Sequence, residues 1–130
     1  RAECGPMKCL SIRQPWAWAI LTGQHSVEYR CYPTKYRGPL LIHAARQASE
    51  WDRKQLVQFG KRVPRWDELV FGRVVGVAEL WACHACPGGE WAWCLRNPQL
   101  VEPFTLKPGK RLFEVEDCLL PRQTVELCVT

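Results

Sequence analysis

The chain has 130 residues, 47% hydrophobic and 24% charged, which fits one compact domain with its own core and excludes wholesale disorder. No apolar run reaches the ~18 residues that span a bilayer, and the opening RAECGP lacks the basic-then-apolar pattern of a secretory signal. Eighteen Lys and Arg against thirteen Asp and Glu leave a net charge of +5, a mild bias toward a polyanionic partner.

Met7 reads as the natural start, so the domain is expected over residues 7–130, with Arg1 to Pro6 a flexible or vector-derived leader. Lys8 to Ile12 reads as a short strand. Pro15 suits the first position of a helix, and Gly23 suits its stop, which predicts a helix of about eight residues with Gln14 as its N-cap. Glutamine is a poor cap, so the first helical N–H groups are expected to be free for another acceptor beside Arg13.

Val27 to Tyr32 alternates. Val27, Tyr29 and Cys31 face one side, and Glu28, Arg30 and Tyr32 face the other. PTKYRG is a basic loop. GPLLIHAA, Gly38 to Ala45, is an apolar strand that holds His43, read as a hydrogen-bonded core histidine. Ser49 caps a helix over Glu50–Phe59 that ends at Gly60. KRVPRWDEL is a basic loop or short helix. GRVVGVAELWAC, Gly72 to Cys83, is the clearest central strand. Further strands are expected over Trp91–Arg96, Arg111–Glu116 and Thr124–Val129. Short strands with two helices near the N-terminal half indicate an α+β domain around a small barrel or curled sheet.

Eight cysteines in a chain of this apolar content read as reduced thiols in a cytoplasmic protein rather than as a secreted disulfide scaffold. Several occupy strand positions as small buried hydrophobes. Cys83, His84, Cys86 and Cys94 contain one C-x-x-C half-site. A second metal-ligating pair is missing, so no metal and no cofactor is expected, with structural zinc the lesser alternative.

Seven tryptophans beside positive charge suit the stacking of unpaired bases, and equally suit a small dense core. On a helical wheel Trp16 falls with Ile20 and Leu21 on the core face, and Trp18 falls at its edge as a half-exposed ring. Glu28 and Arg30 can pair with each other or jointly receive a polar ligand. Glu79 shares a strand face with Val75, Val77 and Trp81. Such neighbours desolvate a carboxylate and raise its pKa, which is what a general acid or base needs.

Together LSIRQPWAWAILTGQHSVEYR, PTKYRGPLLIHAA, GRVVGVAEL, WCLRNP and LFEVED resemble the ASCH domain, the activating-signal-cointegrator homology family of the PUA-like superfamily. The resemblance runs from about Met7 to Asp117. It implies a small PUA-like β-barrel with flanking helices, and a positively charged cleft between the QPW helix, the E-x-R strand and the strand that ends in Glu79. The resemblance also implies RNA or DNA binding. Some small members are amidohydrolases that deacylate N4-acetylcytidine, and others are linked to RNA cleavage. The amidohydrolase pattern places a Lys, a Thr and a Glu where this chain has His25, Glu28 and Glu79, so only the Glu is retained.

The first reading is thus a module that binds RNA, single-stranded nucleic acid or a nucleotide-like ligand, with no membrane partner. Arg13, Gln14, Pro15, Trp16, Trp18, Glu28, Arg30, Tyr32, Lys35 and Arg37 are its candidate contacts. The second is a small hydrolase of a modified nucleoside, or a nuclease, with His25, Glu28 and Glu79 as its acid–base groups. The third is an interaction domain whose cleft takes a peptide.

Overall fold

The computed structural model describes residues 6–60, 62–116, 120–121 and 124. Strand β1 (Pro6–Gln14) leads into helix α1 (Trp16–Leu21), and β2 (Val27–Arg30) and β3 (Gly38–Ala48) follow. Helix α2 (Glu50–Gln58) and a 3-10 turn at Trp66–Glu68 precede β4 (Arg73–Ala85), β5 (Trp91–Phe104) and β6 (Leu112–Glu116). Pro6 already pairs with Glu116, so the strand starts one residue inside the segment expected to lie outside the domain.

The strands form one six-stranded sheet in the order β2-β5-β4-β3-β1-β6. Only β1 and β3 run parallel; the other neighbours are antiparallel. The fold is α+β as expected; among the described residues β2 and β6 do not pair, so the sheet is not closed by a ladder and the barrel is not shown. Of the strand expected over Thr124–Val129, Thr124 is helical, its N–H bonded to the Pro121 carbonyl, and the rest lies outside the described residues.

Both faces of the sheet are covered. Leu10, Ile12, Leu40, Ile42, Leu80 and Trp93 pack with Ala17, Ile20 and Leu21 of α1 on one face. Met7, Cys9, Leu41, Val74, Val77 and Val115 form the cluster on the other. This explains the unbroken apolar run in GPLLIHAA, since a strand buried on both faces does not alternate. His43 is the core histidine the sequence predicts: it is 3% exposed, and its Nδ1 lies 2.9 Å from Ser11 Oγ.

Helix α1 docks closely because Gly76 has no side chain. A Cβ there would stand 2.4 Å from Leu21 Cδ2 and 2.6 Å from the Gln99 carbonyl. Helix α2 is capped as predicted, with Ser49 Oγ accepting from the Asp52 N–H at 3.1 Å.

Candidate functional site

A recess of about 740 Å³ opens between the end of β1, α1, β2 and α2. Its floor is built on β2. Among the described residues that strand pairs only with β5, so its other flank, toward β1, is not closed by a ladder. Arg30 fills that gap. Its Nη1 donates to Glu28 Oε2 at 2.9 Å and to the Ser11 carbonyl at 3.3 Å, and its Nη2 donates to the Tyr32 hydroxyl at 3.2 Å. Tyr32 is fixed in turn. Its ring meets Trp93 edge-on at 5.4 Å, and Trp93 Nε1 donates to its carbonyl at 3.0 Å. The sequence alternation therefore places Glu28, Arg30 and Tyr32 together, as expected.

Burial pushes the Glu28 carboxyl up from its ordinary range, against the pull of Arg30 and Arg13, and neighbouring Asp52 adds to the rise. Arg13 lies across the recess with its Nε 3.3 Å from Asp52 Oδ2. Asp52 is buried at the start of α2, where the Ser49 cap holds its backbone. Trp16 and His25 stack at 5.1 Å with their rings tilted by 45°, and both line the recess. Around the opening stand Tyr29, Trp51 and Phe59, large rings left 51%, 67% and 71% exposed. The lining carries two arginines, Arg13 and Arg30, against Glu28, Asp52 and Glu90. The recess is thus not the positively charged cleft that was expected.

Several expected contacts belong elsewhere. Gln14 and Pro15 are buried, and neither lines the recess. Pro15, not Gln14, occupies the N-cap position of the six-residue helix. Gln14 reaches past it, accepting from the Trp18 N–H at 2.9 Å while its Nε2 donates to the Val70 carbonyl at 2.9 Å. Contrary to the expectation of free helical N–H groups, that of Trp18 is therefore taken. The buried arc of α1 centres on Ala17 and Ile20, which brings Trp16 to the recess and leaves Trp18 on the far side. Trp16 therefore both packs on the core and faces the site. Lys35 and Arg37 are exposed outside the recess, and Arg37 donates to the Thr34 and Tyr36 carbonyls of its own loop.

Glu79 is the largest departure. Strand β4 carries one extra residue, Val75, against β3, where consecutive Ile42 and His43 pair with Gly76 and Val74, and its alternation breaks there. Val75 packs in the α1 cluster, but Val77 packs in the opposite one. Glu79 follows Val77 onto that opposite face, beside a separate hollow of about 300 Å³ that also takes in Pro39, Asn97 and Gln99. There Arg96 Nη2 donates to it at 2.9 Å and Asn97 Nδ2 at 3.1 Å. The Arg96 hydrogen bond holds the Glu79 carboxyl below its ordinary range, the reverse of the expected rise. Among the described residues it is the Glu28 carboxyl that burial raises.

No group of three or more His, Cys, Asp or Glu side chains among the described residues could hold a metal, including Cys83, His84, Cys86 and Cys94. The five described cysteines are free thiols. No helix among the described residues is long and apolar enough to cross a membrane.

Sequence reasoning missed Trp51, Asp52, Phe59, Ser11 and Glu90 as lining residues. A signal for two of them was present. Asp52 and Leu56, four apart, form the buried stripe of α2, and Trp51 and Phe59 fall off that stripe as large rings without a core to fill.

Comparison with known proteins agrees with this architecture. The ASCH protein of Zymomonas mobilis is similar in fold, with a TM-score of 0.57 at 15% identity over 92% of this chain and 91% of that one. Two single-substitution variants of it give TM-scores of 0.57 and 0.58, each at 17% identity and over 95% of this chain and 96% and 94% of theirs. No curated protein matches the chain in sequence. The family model of the ASCH domain matches residues 10–110, which span β1 to the approach of β6, and the chain belongs to the ASCH domain family.

Proposed function

We propose that this ASCH domain binds single-stranded nucleic acid, RNA or DNA, by taking an unpaired base or nucleotide into the recess. One observation carries the reading: Tyr29, Trp51 and Phe59 stand exposed around a largely buried Glu28–Arg30 pair. Exposed rings at the rim give a base its stacking surface, worth about 1–3 kcal/mol per base. The buried pair offers an acceptor and donors for the polar edge of a base. The mixed charge of the lining suits a base better than a phosphate. The backbone then runs over the outer surface of a chain whose net charge is +5. The test is fluorescence anisotropy with mixed-sequence single-stranded RNA and DNA across a salt series. Binding that falls steeply with salt and weakens on Trp51→Ala supports the reading. No binding of either strand at low salt removes it.

A second reading, hydrolysis of a modified nucleoside such as N4-acetylcytidine, is favoured by the raised Glu28 carboxyl with His25 on the same lining. A carboxyl whose proton affinity burial raises can donate a proton to a leaving group, and an imidazole can take one from water. Absorbance of N4-acetylcytidine incubated with the protein decides it. Turnover lost in Glu28→Gln supports this reading, and absence of turnover sinks it.

A further inference from the structure

We propose that the loop Lys107–Arg111, KPGKR, grips the phosphates of the strand whose base enters the recess, so that the ligand is a polynucleotide rather than a free nucleoside. This rests on the base-binding reading above and adds to it a second contact region that the recess lining does not include.

The loop joins β5 to β6 and presents Lys107, Lys110 and Arg111, all exposed. Among the described residues no carboxylate pairs with any of the three, whereas Arg13, Arg30, Arg65 and Arg96 each have an acidic partner. Three unpaired cations within five residues are by themselves an ordinary solvated stretch. Two features set this loop apart.

The first is its connection to the recess. The Arg111 guanidinium carbon lies 4.6 Å from the centroid of the Tyr32 ring, and Tyr32 lines the recess. Tyr32 is anchored by Trp93 and bonded to Arg30, so Arg111 rests on a fixed surface. A guanidinium laid on a ring engages it through its π-face. Its in-plane N–H groups stay available, in the fork that matches two phosphate oxygens.

The second is conformation. Arg111 has φ +55°, a left-handed backbone that side-chain-bearing residues rarely adopt. Gly109 is packed so closely that a Cβ would stand 2.6 Å from Phe113 Cβ. The turn thus has a defined backbone beside the Arg111–Tyr32 contact, and Arg111 itself stays exposed. A strand with one base stacked at Trp51 and Phe59 would carry its flanking phosphates past Tyr32 to this loop, while the mixed charge inside the recess attracts no phosphate of its own.

The experiment uses the full chain, a fluorescein-labelled mixed-sequence single-stranded 12-mer and a mixture of the four ribonucleosides. Arg111→Ala and the double variant Lys107→Ala/Lys110→Ala should weaken strand binding for every sequence. Each should flatten the slope of log K against log salt by about 1 for every phosphate no longer neutralised. Protection of Cys31 from alkylation by the nucleosides should stay as in the parent. Arg111→Lys should keep the salt slope but bind more weakly, since an ammonium neither stacks nor forks. If both loop variants keep the parent affinity and slope while Trp51→Ala loses binding, the loop assignment is wrong and the base-binding reading stands. If the parent protein binds neither strand nor nucleoside, both fall. Displacement of the strand by an oligoglutamate peptide at equal concentration also overturns the proposal, because the loop would then be selecting acidic chains and not phosphates.

Discussion

Glu28 and Arg30, two residues apart on one strand, form a largely buried ion pair at 2.9 Å whose arginine also reaches the Ser11 carbonyl of β1 at 3.3 Å. The pair spans the side of β2 that has no ladder partner, and in doing so it makes the floor of the recess. A carboxylate there is held by its cation yet disfavoured by burial, and burial prevails.

That balance fixes a pH dependence. Below the ordinary glutamate value of 4.5 Glu28 is protonated in folded and unfolded chains alike. As pH rises the unfolded chain ionises first, because the folded value is raised. The stability of the parent relative to Glu28→Gln is therefore highest at acid pH and falls as pH climbs through the raised folded value. Urea unfolding of both proteins from pH 4 to pH 8 measures the difference. A difference that grows with pH would mean that the Arg30 pairing outweighs desolvation.

Glu79→Gln should leave strand binding within about twofold of the parent, because Glu79 lines a separate hollow and not the recess. The same anisotropy assay applied to Glu79→Gln and Glu28→Gln separates the two carboxylates. Loss in Glu79→Gln with retention in Glu28→Gln would move the site to the Glu79 hollow.

Gln14→Ala should act on stability first. It leaves the part-buried Trp18 N–H and the Val70 carbonyl without their partner, at a cost of about 2–4 kcal/mol. Urea unfolding at neutral pH gives the value. An unchanged midpoint with weaker ligand binding would restore Gln14 as a ligand contact.

Cys31 is exposed and lines the recess, so it serves as a built-in probe. Iodoacetamide should modify it readily, and bound strand should slow that reaction. Cys9 should not react in the folded state, since it is fully buried and its thiol is pushed up to about 12. Peptide mapping by mass spectrometry reads both. Equal labelling of Cys31 with and without a strand that binds would place the strand elsewhere.

The fold was largely legible because its elements carry local signals. Ser49 and Gly60 bracket α2, Gly23 follows α1, and the apolar run of GRVVGVAELWAC marks the strand that pairs on both sides. The reach of β5 was not legible. The strand was expected only over Trp91–Arg96, yet it continues through Asn97 and Pro98 to Phe104 with Asn97 at φ +53° and a register shift beside it. Closure of the sheet was not legible either, since it depends on which edges meet and no local pattern reports that.

The site divided along the same line. Alternation over four residues of β2 was enough to gather Glu28 and Arg30 with Tyr32. Alternation along β4 failed at Glu79 because the extra residue at Val75 puts Val75 and Val77 on different faces. The rim rings Trp51 and Phe59 come from a helix distant in sequence, and only the tertiary fold brings them beside Tyr29.

The indole N–H resonances of the seven tryptophans test the central claim most directly. On titration of the protein with a single-stranded 12-mer in a proton–nitrogen NMR experiment, the Trp16 and Trp51 signals should shift progressively. Those of Trp18 and Trp81, which lie outside the recess, should stay in place. Shifts confined to Trp81, or binding without movement of Trp16 and Trp51, would contradict a base-binding recess.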